Sequence, residues 1–121
     1  MSKPVGGGSY HEWEVEELRR DRVFALAYLQ VALESLNDPD ERGGGLLALR
    51  ALAQAYGGLG AVAVRAGVSR ESLYRSLSPK GNPTLKTLLA VLQTMDLRLS
   101  VTEKKQSNAK RSRKSGDPVA A

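Results

Sequence analysis

Between Ala61 and Arg75 the chain leaves very few folds open. An apolar run, Ala61-Val62-Ala63-Val64-Arg65-Ala66, meets Gly67, and two residues later Ser69 opens a second short run, Arg70-Glu71-Ser72-Leu73-Tyr74-Arg75. Glycine enters the left-handed region at little steric cost, so Gly67 predicts a sharp turn after a first helix. Ser69 fits an N-cap, because its hydroxyl can accept an orphan amide from the next turn. Val68 and Leu73 supply the apolar contacts that hold two short helices as a bent pair. This is the anatomy of a helix-turn-helix. It leaves Arg70, Glu71, Tyr74 and Arg75 on faces turned away from Leu73 and Leu77.

The flanking sequence reads as helices that support this corner. Residues 1–9, with Gly6-Gly7-Gly8, are expected to be a flexible lead. Order is expected from Tyr10, through a short apolar-acidic stretch with Trp13, Val15 and Leu18. Asp21 caps a longer helix to about Leu36, in which Leu26, Leu29, Leu33 and Leu36 form a buried stripe flanked by Phe24, Tyr28 and Val31. Asn37-Asp38-Pro39-Asp40 is turn chemistry, with Pro39 suited to the first turn of the next helix. Gly43-Gly44-Gly45 predicts a break, leaving Leu46 to Tyr56 as the firm part of that helix, with Leu46, Leu49, Leu52 and Ala53 inward. Gly57-Gly58 ends it.

Beyond the helix-turn-helix, Ser78-Pro79-Lys80-Gly81-Asn82-Pro83 predicts a compact loop. Thr84 or Asn82 caps a helix carrying Leu85, Leu88, Leu89, Leu92 and Met95 at core spacing. Leu97, Leu99 and Val101 then alternate with polar residues, the period of a half-buried strand. Such a strand needs a partner, either residues 10–15 of the same chain or the same strand of a second copy. The expected fold is therefore all-α: a compact bundle of about five helices containing the helix-turn-helix, with one short C-terminal β-strand. The domain spans residues 10–102, followed by a basic disordered tail over 103–121.

Charge is unevenly placed along the 121 residues, whose net charge is +5. Residues 11–42 carry nine acids and four bases, whereas residues 43–102 carry seven bases and two acids. The tail adds Lys104, Lys105, Lys110, Arg111, Arg113 and Lys114 against two acids. An acidic front and a basic back predict two different partners, with phosphate the natural one for the basic part. Cysteine is absent, which excludes disulfides and thiolate metal sites. With no membrane-length apolar run and no signal-peptide pattern, a cytoplasmic location is expected.

Catalytic signatures are weak. His11 is the lone histidine, with no carboxylate or cysteine partner arranged for catalysis, and it lies near an end expected to be mobile. Ser107-Asn108-Ala109-Lys110 is a serine-x-x-lysine string, but it falls in the tail. Asp38-Pro39-Asp40-Glu41 lacks the spacing and glycine of a calcium loop. The triple glycine has no following Gly-Lys-Ser/Thr, as a phosphate loop requires. The expectation is a protein that is not an enzyme and needs no metal or cofactor.

Several motifs occur together in a recognisable order. Tyr28-Leu29-Gln30-Val31-Ala32-Leu33-Glu34, Leu46-Leu47-Ala48-Leu49-Arg50, Gly57-Gly58, Ser69 to Arg75, Leu77-Ser78, Gly81-Asn82-Pro83 and Leu97-Arg98-Leu99-Ser100-Val101 resemble the HigA-like addiction-module antidote proteins. These belong to the phage-repressor-type helix-turn-helix superfamily. The resemblance covers roughly residues 12 to 102. It implies the antitoxin of a type II toxin-antitoxin module, which neutralises a RelE/HigB-like toxin and represses its own operon as a homodimer on double-stranded operator DNA. Relatives commonly place a polar pair at the start of the first motif helix to clamp a phosphate, whereas here the positions are Gly60-Ala61. Two alternatives stay open: a free-standing helix-turn-helix transcriptional regulator, and a protein-interaction module that has lost DNA binding.

In the superfamily's docking geometry the second motif helix enters the major groove. By that resemblance Arg70, Glu71 and Tyr74 face base edges, Arg75 reaches a base or a phosphate, and Ser69 binds phosphate at the helix start. Lys80, Asn82 and Lys86 lie where superfamily members approach the backbone. For the toxin, the candidates are Trp13, Glu14, Val15, Glu17 and Leu18, apolar anchors set among carboxylates that suit a basic RNA-cleaving face. Trp13, Val15 and Leu18 serve equally well as a cap on the chain's own core.

Overall fold

A computed structural model describes residues 10–103; the glycine-bearing lead and the basic tail from Lys104 lie outside the described residues. Six helices follow one another: α1 (Tyr10–Arg20), α2 (Arg22–Ser35), α3 (Arg42–Ala55), α4 (Gly58–Ala66), α5 (Arg70–Ser76) and α6 (Leu85–Thr94). The all-α expectation holds, with one helix more than the sequence suggested. The addition is α1, whose glutamates pair with arginines one turn on: Glu16 with Arg19 at 2.8 Å and Glu17 with Arg20 at 2.6 Å. Glu12 in its first turn and two arginines in its last also suit the helix dipole. Asp21 then breaks the chain in an extended conformation and accepts a bond from the Phe24 amide at 3.1 Å, the expected cap, worth about 1 kcal/mol.

Helix α3 corrects the sequence reading most clearly. It runs unbroken from Arg42 through Gly43-Gly44-Gly45. A Cβ on Gly45 would lie 2.7 Å from the Ala32 carbonyl oxygen and 3.0 Å from the Ser35 Cβ, and one on Gly43 would lie 3.2 Å from the Pro79 carbonyl oxygen. The two glycines let α3 approach α2 and the 78–83 loop at backbone distance. Helix propensity yields here to close packing. Pro39 falls in the preceding turn rather than in the helix, and the Asp38 carbonyl accepts from the amides of Glu41 and Arg42.

The core gathers Leu18 from α1, Ala25, Leu29 and Ala32 from α2, Leu46, Leu49 and Leu52 from α3, Leu59 and Val62 from α4, Leu73 and Leu77 around α5, and Val91, Leu92 and Met95 from α6. The α2 stripe is narrower than expected. Leu33 and Leu36 are half-buried against the core, but Val31 is 66% exposed. On α6 the expected Leu85 is exposed too, while Leu88 packs on the core and Ala90 and Val91 are buried. Helices α3 and α4 meet at 105°, across Gly57 and Gly58, both at positive φ. No single helix among the described residues is long and apolar enough to cross a membrane.

The C-terminal strand does not form among the described residues. Residues 97–103 follow α6 without a ladder. One partner considered from the sequence, residues 10–15, is committed to α1, so its amides and carbonyls serve the helix. Leu97 donates to the Leu92 carbonyl at 2.8 Å, and Arg22 donates to the Met95 carbonyl at 2.8 Å, fixing where the arm leaves the bundle.

Candidate nucleic-acid interface

The corner between α4 and α5 is set by three local devices. Gly67 ends α4 at φ 72°, and the amide of Val68 returns to the Ala63 carbonyl at 3.1 Å, closing the last turn. Ser69 is extended, and its hydroxyl accepts from the Ser72 amide at 3.0 Å. Leu73 and Leu77, both fully buried, anchor the short α5 to the core. Seven residues make too short a helix to persist alone, so its direction is the direction of those anchors.

What α5 then presents is polar and accessible. Ser69, Arg70, Glu71, Tyr74 and Arg75 are all exposed, as are Lys80 and Asn82 on the following loop and Lys86 in the first turn of α6. Arg70 and Tyr74 are one turn apart, and Glu71 and Arg75 form a parallel row, so the four occupy one side of α5. Among the described residues no ion pair engages Arg65, Arg70, Arg75, Lys80 or Lys86. Their charge is therefore available to an anion.

Lys86 lies over the turn between α4 and α5. A Cβ on Gly67 would lie 3.1 Å from the Lys86 Nζ, so the lysine reaches back over the turn toward the C-terminal end of α4. A cation there complements the exposed carbonyl end of that helix. Gly60 and Ala61 are exposed on the neighbouring face of α4, and Val64 beside them is 81% exposed. This face offers methyl groups and backbone rather than a polar clamp.

Arg50 is a participant that the sequence reading passed over. It projects from α3 with its guanidinium 3.9 Å from the centre of the Tyr74 ring. It also donates to the Ser78 hydroxyl at 3.1 Å, and that hydroxyl donates to the Tyr74 carbonyl at 2.8 Å. The signal was legible as an oddity: Arg50 is the one charged residue between Gly43 and Ala55, an otherwise apolar core segment.

The candidate partner surface on α1 separates into two parts. Leu18 is fully buried and holds α1 on the core rather than meeting a partner. Trp13, Glu14, Val15 and Glu17 are half-buried, and the Trp13 indole nitrogen is buried without a hydrogen-bond acceptor among the described residues. Burial raises the Glu14 carboxyl above the usual carboxylate value, against a smaller opposing pull from His11 at 3.7 Å. Because the folded value lies above the unfolded one, an ionised Glu14 costs stability at neutral pH. That cost is relieved as pH falls through the raised value. The outward glutamates are Glu12 and Glu16.

Comparison with known proteins adds a family. A family model described as probable addiction module antidote protein matches residues 10–103. An uncharacterized protein of Haemophilus influenzae is 43% identical over 42 residues, which is 35% of this chain and 43% of that protein. The match thus spans less than half the length of that relative. No solved structure matches the chain.

Proposed function

The chain belongs to the probable addiction module antidote family, and from this premise we propose that it is a HigA-like antitoxin of a type II module, acting without catalysis. Its domain over residues 10–102 carries a phage-repressor-type helix-turn-helix formed by α4 and α5. It binds operator DNA in a sequence-specific way and represses its own operon, and it neutralises a RelE/HigB-like toxin by direct contact. The observation that carries the DNA half is the α5 side bearing Arg70, Glu71, Tyr74 and Arg75, exposed, cationic on balance and without an ion-pair partner among the described residues. Arg donates a bidentate pair to guanine and Glu accepts from cytosine, so Arg70 and Glu71 suit a G·C-containing step. The capped start of α5 at Ser69 suits a phosphate. The apolar outer face of α4 at Gly60, Ala61 and Val64 favours, as a second reading, a protein-interaction module without DNA binding. A salt-dependent shift of the chain's own upstream DNA separates the two.

Toxin capture falls to α1. A ribonuclease that grips phosphate has a basic face, which carboxylates around a half-buried tryptophan complement. Removing α1 would strip Leu18 from the core, so the test is made on its outer surface. Glu12→Gln with Glu16→Gln gives up the Arg19 pair and the first-turn charge without adding repulsion, so α1 should stay docked through Leu18. Capture of the toxin encoded beside this chain should slow several-fold at low salt. Growth rescue equal to that of the unaltered chain, with unchanged association kinetics, would remove α1 from the toxin interface.

The repressor form is a homodimer, matching the two-fold symmetry of operator half-sites. With residues 10–15 committed to α1, the arm over 97–103 is left to pair with its counterpart in a second copy. Leu99 at 55% and Val101 at 94% exposure are the apolar residues such pairing would cover, beside the exposed Val31 of α2. Sedimentation at micromolar concentration should give twice the monomer mass, and Leu99→Lys with Val101→Lys should return a monomer. A monomeric unaltered chain would contradict the dimer.

A further inference from the structure

Helix α5 packs chiefly against α4, and its two turns depend on Leu73 and Leu77 for direction. Nothing about those leucines fixes the ring of Tyr74, which leaves α5 on the exposed side and is 47% exposed. The ring is instead covered on one face by Arg50, 3.9 Å from its centre. The same guanidinium holds Ser78, whose hydroxyl closes on the Tyr74 carbonyl. One side chain from α3 thus braces both the ring and the backbone of a single residue of α5.

This arrangement is a poor way to gain stability. Arg50 is half-buried, has no carboxylate partner among the described residues, and leaves its Nε buried without an acceptor. A cation withdrawn from water without an opposite charge costs free energy that one aromatic face and one hydroxyl offset only in part. An apolar side chain of similar length would fill the same space without that cost. What the guanidinium adds is geometry: a flat cation stacked on the ring restricts the directions in which the phenol can point.

We propose that Arg50 is a positioning residue for DNA recognition, holding Tyr74 in the orientation in which it meets the major groove. The proposal rests on the DNA-binding reading of α5 and deepens it. Arg50 itself touches no base; it determines which base Tyr74 meets.

The test selects duplexes from a randomised pool with the full chain and with Arg50→Met, Arg50→Lys, Tyr74→Ala, the Arg50→Met/Tyr74→Ala pair and, as reference, Arg70→Ala. Arg50→Met should melt at or above the unaltered chain, since an orphaned buried donor is gone. It should bind the selected site roughly 10-fold more weakly. Its lost base preference should fall at the position that Tyr74→Ala also loses. The pair should be no weaker than Tyr74→Ala alone, because both changes remove one interaction. Arg50→Lys keeps the charge but not the plane or the fork, so it should shift the same position in the same direction. That comparison stands even if Arg50→Met melts early. Unaltered preference in both Arg50 variants, or losses that multiply in the pair while Arg70→Ala remains defective, would overturn the role of Arg50 and leave DNA binding standing. No preferred site for the unaltered chain, or Arg70→Ala binding as tightly as the unaltered chain, would overturn the DNA reading and this inference with it.

Discussion

Gly45→Ala is expected to destabilise the fold by about 2–3 kcal/mol, while Gly44→Ala one residue away stabilises it by about 0.5–1 kcal/mol. The two positions share a helix, a residue type and a substitution, and differ in surroundings. A methyl group on Gly45 would sit 2.7 Å from the Ala32 carbonyl oxygen and 3.0 Å from the Ser35 Cβ, so α2 and α3 must separate to admit it. Separation loosens Leu29, Ala32, Leu46 and Leu49, buried residues of the two packed helices. At Gly44 no atom lies within 4 Å of the added carbon, and the gain is alanine's better helix propensity. Thermal melts should move in opposite directions, with Gly45→Ala down by on the order of 10 °C. Equal melting of the two variants would mean that α2 and α3 approach less closely than these distances require.

The triple glycine also marks where sequence reading fails and why. Propensity weighs a residue against its own backbone, whereas Gly45 answers to a carbonyl on another helix, a contact that one-dimensional pattern does not encode. The same holds for the missing strand. Leu97, Leu99 and Val101 have the right period, but strand formation depends on a partner: residues 10–15 are wound into α1, which leaves the counterpart arm of a second copy as the other partner the pattern allowed. Arg50 is the third such case, because its role depends on a ring and a hydroxyl that lie 24 and 28 residues further along the chain. Local signals carried better. Asp21, Ser69 and Thr84 cap helices through bonds to the third residue on, so their chemistry is contained in a few consecutive letters. Gly67 is equally local. The exposed row on α5 was legible for that reason, since turn, cap and apolar anchors all lie within Ala61–Leu77. The α1 candidates were less so, because burial of Leu18 against other helices removed one of them from the surface.

Arg70→Ala is expected to produce the largest functional loss of any single substitution on α5. Its guanidinium stands at the first position after the Ser69 cap, exposed and without an ion pair among the described residues, at the end of the helix that in the proposed docking would lead into a groove. A bidentate contact to guanine is worth about 1–3 kcal/mol, and its loss relaxes base preference at one position. Arg75, a turn later, is exposed as well. Should it contact phosphate, Arg75→Ala would weaken all sequences alike and reduce the salt slope by about 1. The direct measurement is a fluorescence-anisotropy titration of the chain's own upstream DNA against a scrambled duplex of equal length, at several salt concentrations, with the unaltered chain and with Arg70→Ala. The account predicts salt-dependent preference for the upstream duplex, lost largely in Arg70→Ala while binding to the scrambled duplex changes little. Equal affinity of the unaltered chain for both duplexes, or a preference that Arg70→Ala retains in full, would contradict it.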